Sequence, residues 1–217
     1  MCWNKEVSFA TFAVGTLINI FLWAGSTNVN FKGVLLVWQF ALFMQLIEGF
    51  LWIENESKSK QVNNKWSRLA FFANILQPVV ALVIFGFVLR KRNKVPPCVV
   101  MSVSVLATFY VYYMVKNTNL TTLQVTKDGD CHLGLAWWHK IDYSGLLFFI
   151  LLCGTFLLVR PFPLALTNLV FVAIAFKLTL HFYNPNSIAS LWCFFVTIIP
   201  LLLYILSRTN IPFFNYY

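Results

Sequence analysis

The sequence predicts an all-α protein, a bundle of seven membrane helices with its N-terminus outside and its C-terminus inside. Three observations lead there. Of its 217 residues 59% are hydrophobic and 11% charged, whereas a soluble domain carries about 25% charged residues. The chain divides into seven mainly apolar runs, each near the roughly 17 to 25 residues that cross a bilayer core. Polar, charged or proline residues mark every boundary between them. The 23 Phe and 8 Trp suit lipid-facing helices with aromatic belts at the interfaces. The longest polar connection, Lys116 to Asp142, is too short to bury a core of its own. Residues 1–217 therefore read as one multi-pass integral membrane domain whose first partner is the lipid bilayer.

The first run is Val7 to Gly25. Lys5 ahead of it and the small residues Ala24, Gly25 and Ser26 suggest a signal peptide, but its apolar stretch exceeds the usual length of about 7 to 15 residues, so it reads as a helix. The second, Gly33 to Ile53, lies between Lys32 and Glu54. The third, Leu69 to Leu89, runs from Arg68 to Arg90, and Pro78 within it predicts a kink and a freed carbonyl near Gln77. The fourth, Cys98 to Val115, starts after Pro96 and Pro97. The fifth, Tyr143 to Val159, lies between Asp142 and Arg160. The sixth, Phe162 to Phe182, is set off by Pro161 and Pro163 before it and by Asn184, Pro185, Asn186 and Ser187 after it; helices do not readily cross such breaks. The seventh is Ile188 to Leu206. The sequence has no internal repeat and no low-complexity tract.

Orientation rests on the density of basic residues. The side that holds the C-terminus carries Lys32, Arg90, Lys91, Arg92, Lys94, Arg160 and Arg208 in short connections with no acid. The other side carries Lys5, Lys58, Lys60, Lys65, Arg68, Lys116, Lys127 and Lys140 in longer loops, mixed with acids. The denser side is expected to be cytoplasmic. Two glycosylation tripeptides, at Asn55 and Asn119, fall on the opposite side. The net charge of +9 does not point to nucleic acid, because the basic residues flank apolar runs and form no stripe with interleaved aromatics. The cluster Arg90, Lys91, Arg92 and Lys94 reads as a cytoplasmic anchor, with binding of anionic lipid as the sharper alternative.

Within the apolar runs two charges stand out, Glu48 and Lys177. An ionised carboxylate at membrane depth costs roughly 2.5 to 3.5 kcal/mol on insertion scales, so it usually has a partner and often a task. At 1.5 Å per residue Glu48 lies about 8 Å below Ile53, and Lys177 about 8 Å below Phe182. Asn74 and Cys193 come out at about the same depth, whereas Asn19, Gln39 and Asn168 lie deeper or in the other half. The pairs Gln45 with Glu48, Asn74 with Gln77, and Lys177 with His181 have spacings that put each pair on one helix face. They are expected to line one outward-facing cavity. The competing readings are structural: Lys177 snorkelling to the interface, a Glu48 and Lys177 pair holding the bundle together, His181 at the interface, and Gln45, Asn74 and Gln77 as interhelical hydrogen-bond partners.

Other chemistries have weaker signals. His132, His139 and His181 with Glu48, Asp130 or Asp142 are residue types that bind zinc, but no HExxH and no paired-cysteine spacing is present, so no metal site is assigned. No G-x-S-x-G elbow is present. Seven spans with a membrane lysine outline a retinal protein, but the last helix has no lysine. Cys2, Cys131 and Cys193 fall toward the outer side, as two partners of a disulfide or as free thiols, whereas Cys98 and Cys153 read as small apolar helix residues.

Three segments, Met1-Cys2-Trp3, Gln45-Leu46-Ile47-Glu48 with Trp52, and Ser190-Leu191-Trp192-Cys193, resemble a family of uncharacterised multi-pass membrane proteins found in bacteria and large DNA viruses. The sequence departs from that pattern at Asn4, where the resemblance implies serine, and at Met44, where it implies histidine. The resemblance implies no activity or cofactor and singles out Cys2, Glu48 and Cys193. The function expected from depth and spacing is the binding or passage of a small polar ligand, ion or proton through a cavity lined by Gln45, Glu48, Asn74, Gln77, Lys177 and His181. Glu48 would bind or relay, with Lys177 as its counter-charge. The alternatives are a membrane-embedded enzyme using a thiol or a metal, and a structural membrane protein. Whether the chain is an enzyme, and its oligomeric state, are not determined by its sequence.

Overall fold

The computed structural model describes residues 4–57, 60–128, 132–135, 137, 144–182 and 188–209; within these, the side chains of 57, 60–62, 127–128, 132, 179–182 and 188–194 are left undescribed. The fold is mostly helical. In chain order come α1 (Lys5–Gly25), α2 (Val29–Ser57), α3 (Lys60–Ile75), α4 (Gln77–Leu82), a π-helical segment (Val83–Val88), α5 (Arg90–Asn93), α6 (Pro97–Asn117), β1 (Thr126–Asp128), β2 (His132–Gly134), α7 (Ser144–Phe156), α8 (Phe162–Phe182) and α9 (Ile188–Ser207). Among the described residues, α1, α2 and α6 are long and apolar enough to cross a membrane, and a fourth span is added if α3 and the α4–π stretch count as one bent element. Little of the apolar window of α1 and of α6 is buried, 28% and 22%, with Leu17, Phe21, Val105 and Phe109 among the side chains facing out. Exposed apolar surface of that extent marks a side that meets a membrane or a partner.

The sequence accounts for the ends of these helices. Asn4 caps α1, its Oδ1 accepting from Val7 N–H at 2.9 Å; asparagine does this as well as serine. Asn28 Oδ1 accepts from the N–H groups of Asn30 and Phe31 at the start of α2. Pro97 opens α6, where its missing N–H costs nothing. Lys94 ends α5 in the left-handed conformation, φ 53°.

α2 is the hub. It packs against α1, α3, α4, the π segment and α9, and its apolar window is 67% buried. The buried residues of α1 are Ser8, Thr11, Gly15, Asn19 and Leu22, a stripe at helical spacing made mostly of small and polar side chains. That is how membrane helices approach closely, because lipid is as apolar as leucine and the gain must come from contact and hydrogen bonds. Asn19 Nδ2 donates to Gln39 Oε1 at 3.0 Å, and Gln39 Nε2 donates to Thr16 Oγ1 at 3.0 Å. A Cβ added at Gly49 would fall 2.6 Å from the Phe9 ring, so α1 rests directly on the α2 backbone there.

The third predicted span is broken. α3 starts at Lys60, well ahead of Leu69, and the chain bends by 42° between the α3 half and the Gln77–Val88 half. Pro78, at the start of α4, cannot donate to the carbonyl of Asn74 and so releases the helix at that point. The connection after α6 contains structure that hydrophobic periodicity does not predict. β1 and β2 pair antiparallel with Lys127 opposite Leu133, and Val125, Leu133, Leu135 and Trp137 are buried. Trp137 meets Phe71 edge to face with ring centroids 5.7 Å apart. This hairpin covers the end of the bundle where α2 finishes and α3 begins.

Candidate functional site

On α2, Gln45 and Glu48 are both fully buried. They stand one turn apart, and Gln45 Nε2 donates to Glu48 Oε2 at 3.0 Å. A bond of this kind orients the carboxyl group. The contacts of Gly15 with Leu42, and of Gly49 with Phe9, set the register of α1 on α2. In that register Ser8 and Thr11, both buried, bracket the level of Glu48. Sequence reading passes over these two because serine and threonine are common in membrane helices. The signal is their spacing with Gly15 and Asn19, which puts all four on one face.

Asn74 and Gln77, on either side of the bend, are each 1% exposed. Among the described residues neither amide atom of Asn74 has a hydrogen-bond partner. A buried amide in that condition costs about 1 to 3 kcal/mol unless a water or ligand satisfies it. The face-to-face stack of Phe50 on Trp66, centroids 4.4 Å apart, and the contact of Phe85 with Gly33 fix the antiparallel register of α2 and the third span. Asn74 then lies opposite the turn Leu42 to Met44, about 6 to 9 Å deeper than Glu48 along the helix axes. The equal depth expected from span boundaries fails because α3 extends about two turns beyond the boundary at Leu69.

α8 runs parallel to α2. Asn30 Nδ2 donates to the carbonyl of Arg160 at 2.6 Å, and Trp38 Nε1 donates to Asn168 Oδ1 at 3.1 Å, both with a sequence offset of 130. The same offset sets Lys177 level with Ile47, next to Glu48 in depth. Lys177 is nevertheless exposed while Glu48 is buried. The structure therefore brings together Gln45 and Glu48, buries Asn74 and Gln77 deeper in the bundle, and places Lys177 on the outside of the bundle and not as the counter-charge. The side chains of His181, Cys193 and His132, and all of Cys2, Cys131, Asp130, His139 and Asp142, lie outside the described residues. Among the described residues no three His, Cys, Asp or Glu side chains gather as metal ligands.

Above this layer the segment Leu120 to Val125, which leads into the hairpin, forms a roof held by side-chain to backbone bonds. Asn63 Nδ2 donates to the Val125 carbonyl at 3.0 Å, while Val125 N–H donates to Asn63 Oδ1 at 3.2 Å and to Ser67 Oγ at 2.8 Å. Asn55 Nδ2 reaches the same carbonyl at 3.2 Å. Asn64 Nδ2 donates to the carbonyl of Leu123 at 2.6 Å, and Arg68 Nε to that of Leu120 at 2.6 Å. Asn55 is seven residues beyond Glu48 on α2, about 10 Å along the axis. Among the described residues, the segment from Leu120 to Val125 thus lies across the end of the bundle beyond the polar layer. No family model, curated protein or solved structure matches the chain.

Proposed function

We propose that the chain is a multi-pass integral membrane protein, its seven apolar runs embedded in a bundle with the N-terminus outside and the C-terminus inside, that binds or passes a small polar ligand, ion or proton at an occluded site around Glu48. The observation that carries this reading is a fully buried carboxyl group, oriented by Gln45, above a buried Asn74 amide whose donor and acceptor have no partner among the described residues. Buried polar atoms of this kind are satisfied by a bound water or ligand, and a carboxylate at membrane depth is a functional group by default. Lys177, being exposed, has no part in this version of the site. Passage would require the roof to open.

The test compares the wild-type protein with Glu48→Gln, which keeps size and hydrogen bonding but removes the charge. Thermal stability in detergent is read across pH, a panel of monovalent cations and a panel of small polar solutes. One of these is expected to raise the Tm of the wild type by several degrees and to leave a folded E48Q unmoved. An E48Q protein that folds and responds as the wild type does removes the proposal.

A further inference from the structure

We infer that the groove between the broken third span and α6 binds one acyl chain of an anionic glycerophospholipid, with its phosphate held by the basic loop at the groove's end. The groove is formed on one side by Leu76, Val83 and Phe87 and on the other by Ser104, Thr108 and Tyr112, with a volume of about 550 Å³. The bend at Pro78 shapes it, because the stretch below the bend diverges from the direction of α3 by 42°. Each wall covers 12 residues, Leu76 to Phe87 and Ser104 to Val115, about 16 Å of helix, close to the depth of one leaflet of a hydrocarbon core about 30 Å thick.

The groove accepts hydrocarbon although two hydroxyls line it. Ser104 Oγ donates to the Val100 carbonyl at 2.7 Å and Thr108 Oγ1 to the Ser104 carbonyl at 2.9 Å, so both are satisfied within their own helix. Their methylene and methyl surfaces remain for contact. Phe87 and Tyr112 are 58% and 61% exposed, standing as rims.

The chemistry of the occupant follows from connectivity. The π segment ends at Val88 and α6 begins at Pro97, and the eight residues between them include Arg90, Lys91, Arg92 and Lys94 with no acid. The loop that joins the two walls therefore carries all four charges to one end of the groove. Lys91, Arg92 and Lys94 are exposed, and Lys91 follows Phe87 by one turn. An apolar slot of leaflet length that ends in four cations complements a lipid with an anionic phosphate headgroup. Each basic residue adds to that attraction near the bilayer surface. The placement does not depend on which side of the membrane the loop faces, nor on the Glu48 site.

The test places the wild-type protein in nanodiscs of equal parts phosphatidylcholine and phosphatidylglycerol, releases it, and reads the retained lipid by native mass spectrometry. The wild type should carry one phosphatidylglycerol in preference to phosphatidylcholine. Thr108→Trp fills the groove from an exposed position with the basic loop intact, and should lose that lipid. The fourfold variant R90Q, K91Q, R92Q, K94Q should lose the preference for phosphatidylglycerol. Equal retention of both lipids by the wild type overturns the inference. So does retention of phosphatidylglycerol by T108W, which would show attraction to the basic loop alone without a seated chain. Circular dichroism confirms that the variants compared are folded.

Discussion

Trp38 Nε1 donates to Asn168 Oδ1 at 3.1 Å, both side chains fully buried, and this bond with its counterpart from Asn30 to Arg160 locks α2 and α8 in parallel register. Asn168→Leu takes the acceptor from a buried indole. It should cost about 1 to 3 kcal/mol, seen as a lowered unfolding midpoint in detergent. A double-mutant cycle with Trp38→Phe should return a coupling of about 0.6 to 1.7 kcal/mol, the range for hydrogen bonds between membrane helices. A coupling of zero would mean that packing alone sets the register.

Lys177 on α8 shares the depth of Glu48 on α2, but it is exposed where Glu48 is buried. Lys177→Leu should change stability by no more than about 0.5 kcal/mol and leave any Glu48-dependent response as it is. A K177L protein that loses that response would restore lysine to the site.

The Phe9 ring occupies the space a side chain at Gly49 would need. Gly49→Ala should destabilise by about 1 to 3 kcal/mol through overpacking. Adding Phe9→Ala should recover part of that loss by vacating the space. If the double variant is the sum of the two single ones, the contact between α1 and α2 at this point is not the cause.

Asn63 binds both the N–H and the carbonyl of Val125, so it stands in for a neighbouring strand. Asn63→Ala should cost about 1 to 3 kcal/mol and speed hydrogen exchange at Val125 more than in α2. With the roof loosened, a water-soluble carbodiimide should label Glu48 faster than in the wild type. Unchanged labelling would show that the roof does not control access.

Cys98 is exposed at the start of α6, beside the basic loop. In a variant that keeps Cys98 as its single cysteine, a membrane-impermeant maleimide should react from the cytoplasmic face only. Reaction from the outer face would invert the proposed orientation.

Several features follow from local chemistry and are legible in the residues alone. Prolines and polar residues stop helices for covalent reasons, so Phe162 to Phe182 emerges with the bounds read from the sequence and the Pro78 break falls where a missing N–H requires it. Charge and length likewise mark the basic loop. The hairpin after α6 is not legible, because its strands are three residues each and the segment that leads into them is held by Asn55, Asn63, Asn64, Ser67 and Arg68 on helices distant in sequence. Hydrophobic periodicity carries no trace of such side-chain to backbone bonds.

The sequence by itself determined an apolar, helical, membrane-associating chain, the break at Pro78, and that Lys177 and Glu48 share a depth, since rise per residue is a local constant. Only the tertiary structure decided which of them faces inward, how much deeper Asn74 sits, and that the segment Leu120 to Val125 lies over the layer. In water, an apolar face must be the buried face. In a bilayer, lipid and protein interior are both apolar, so the helix pattern does not tell one side from the other, and the choice falls to close contacts such as Phe9 on Gly49 and to the few hydrogen bonds that cross between helices.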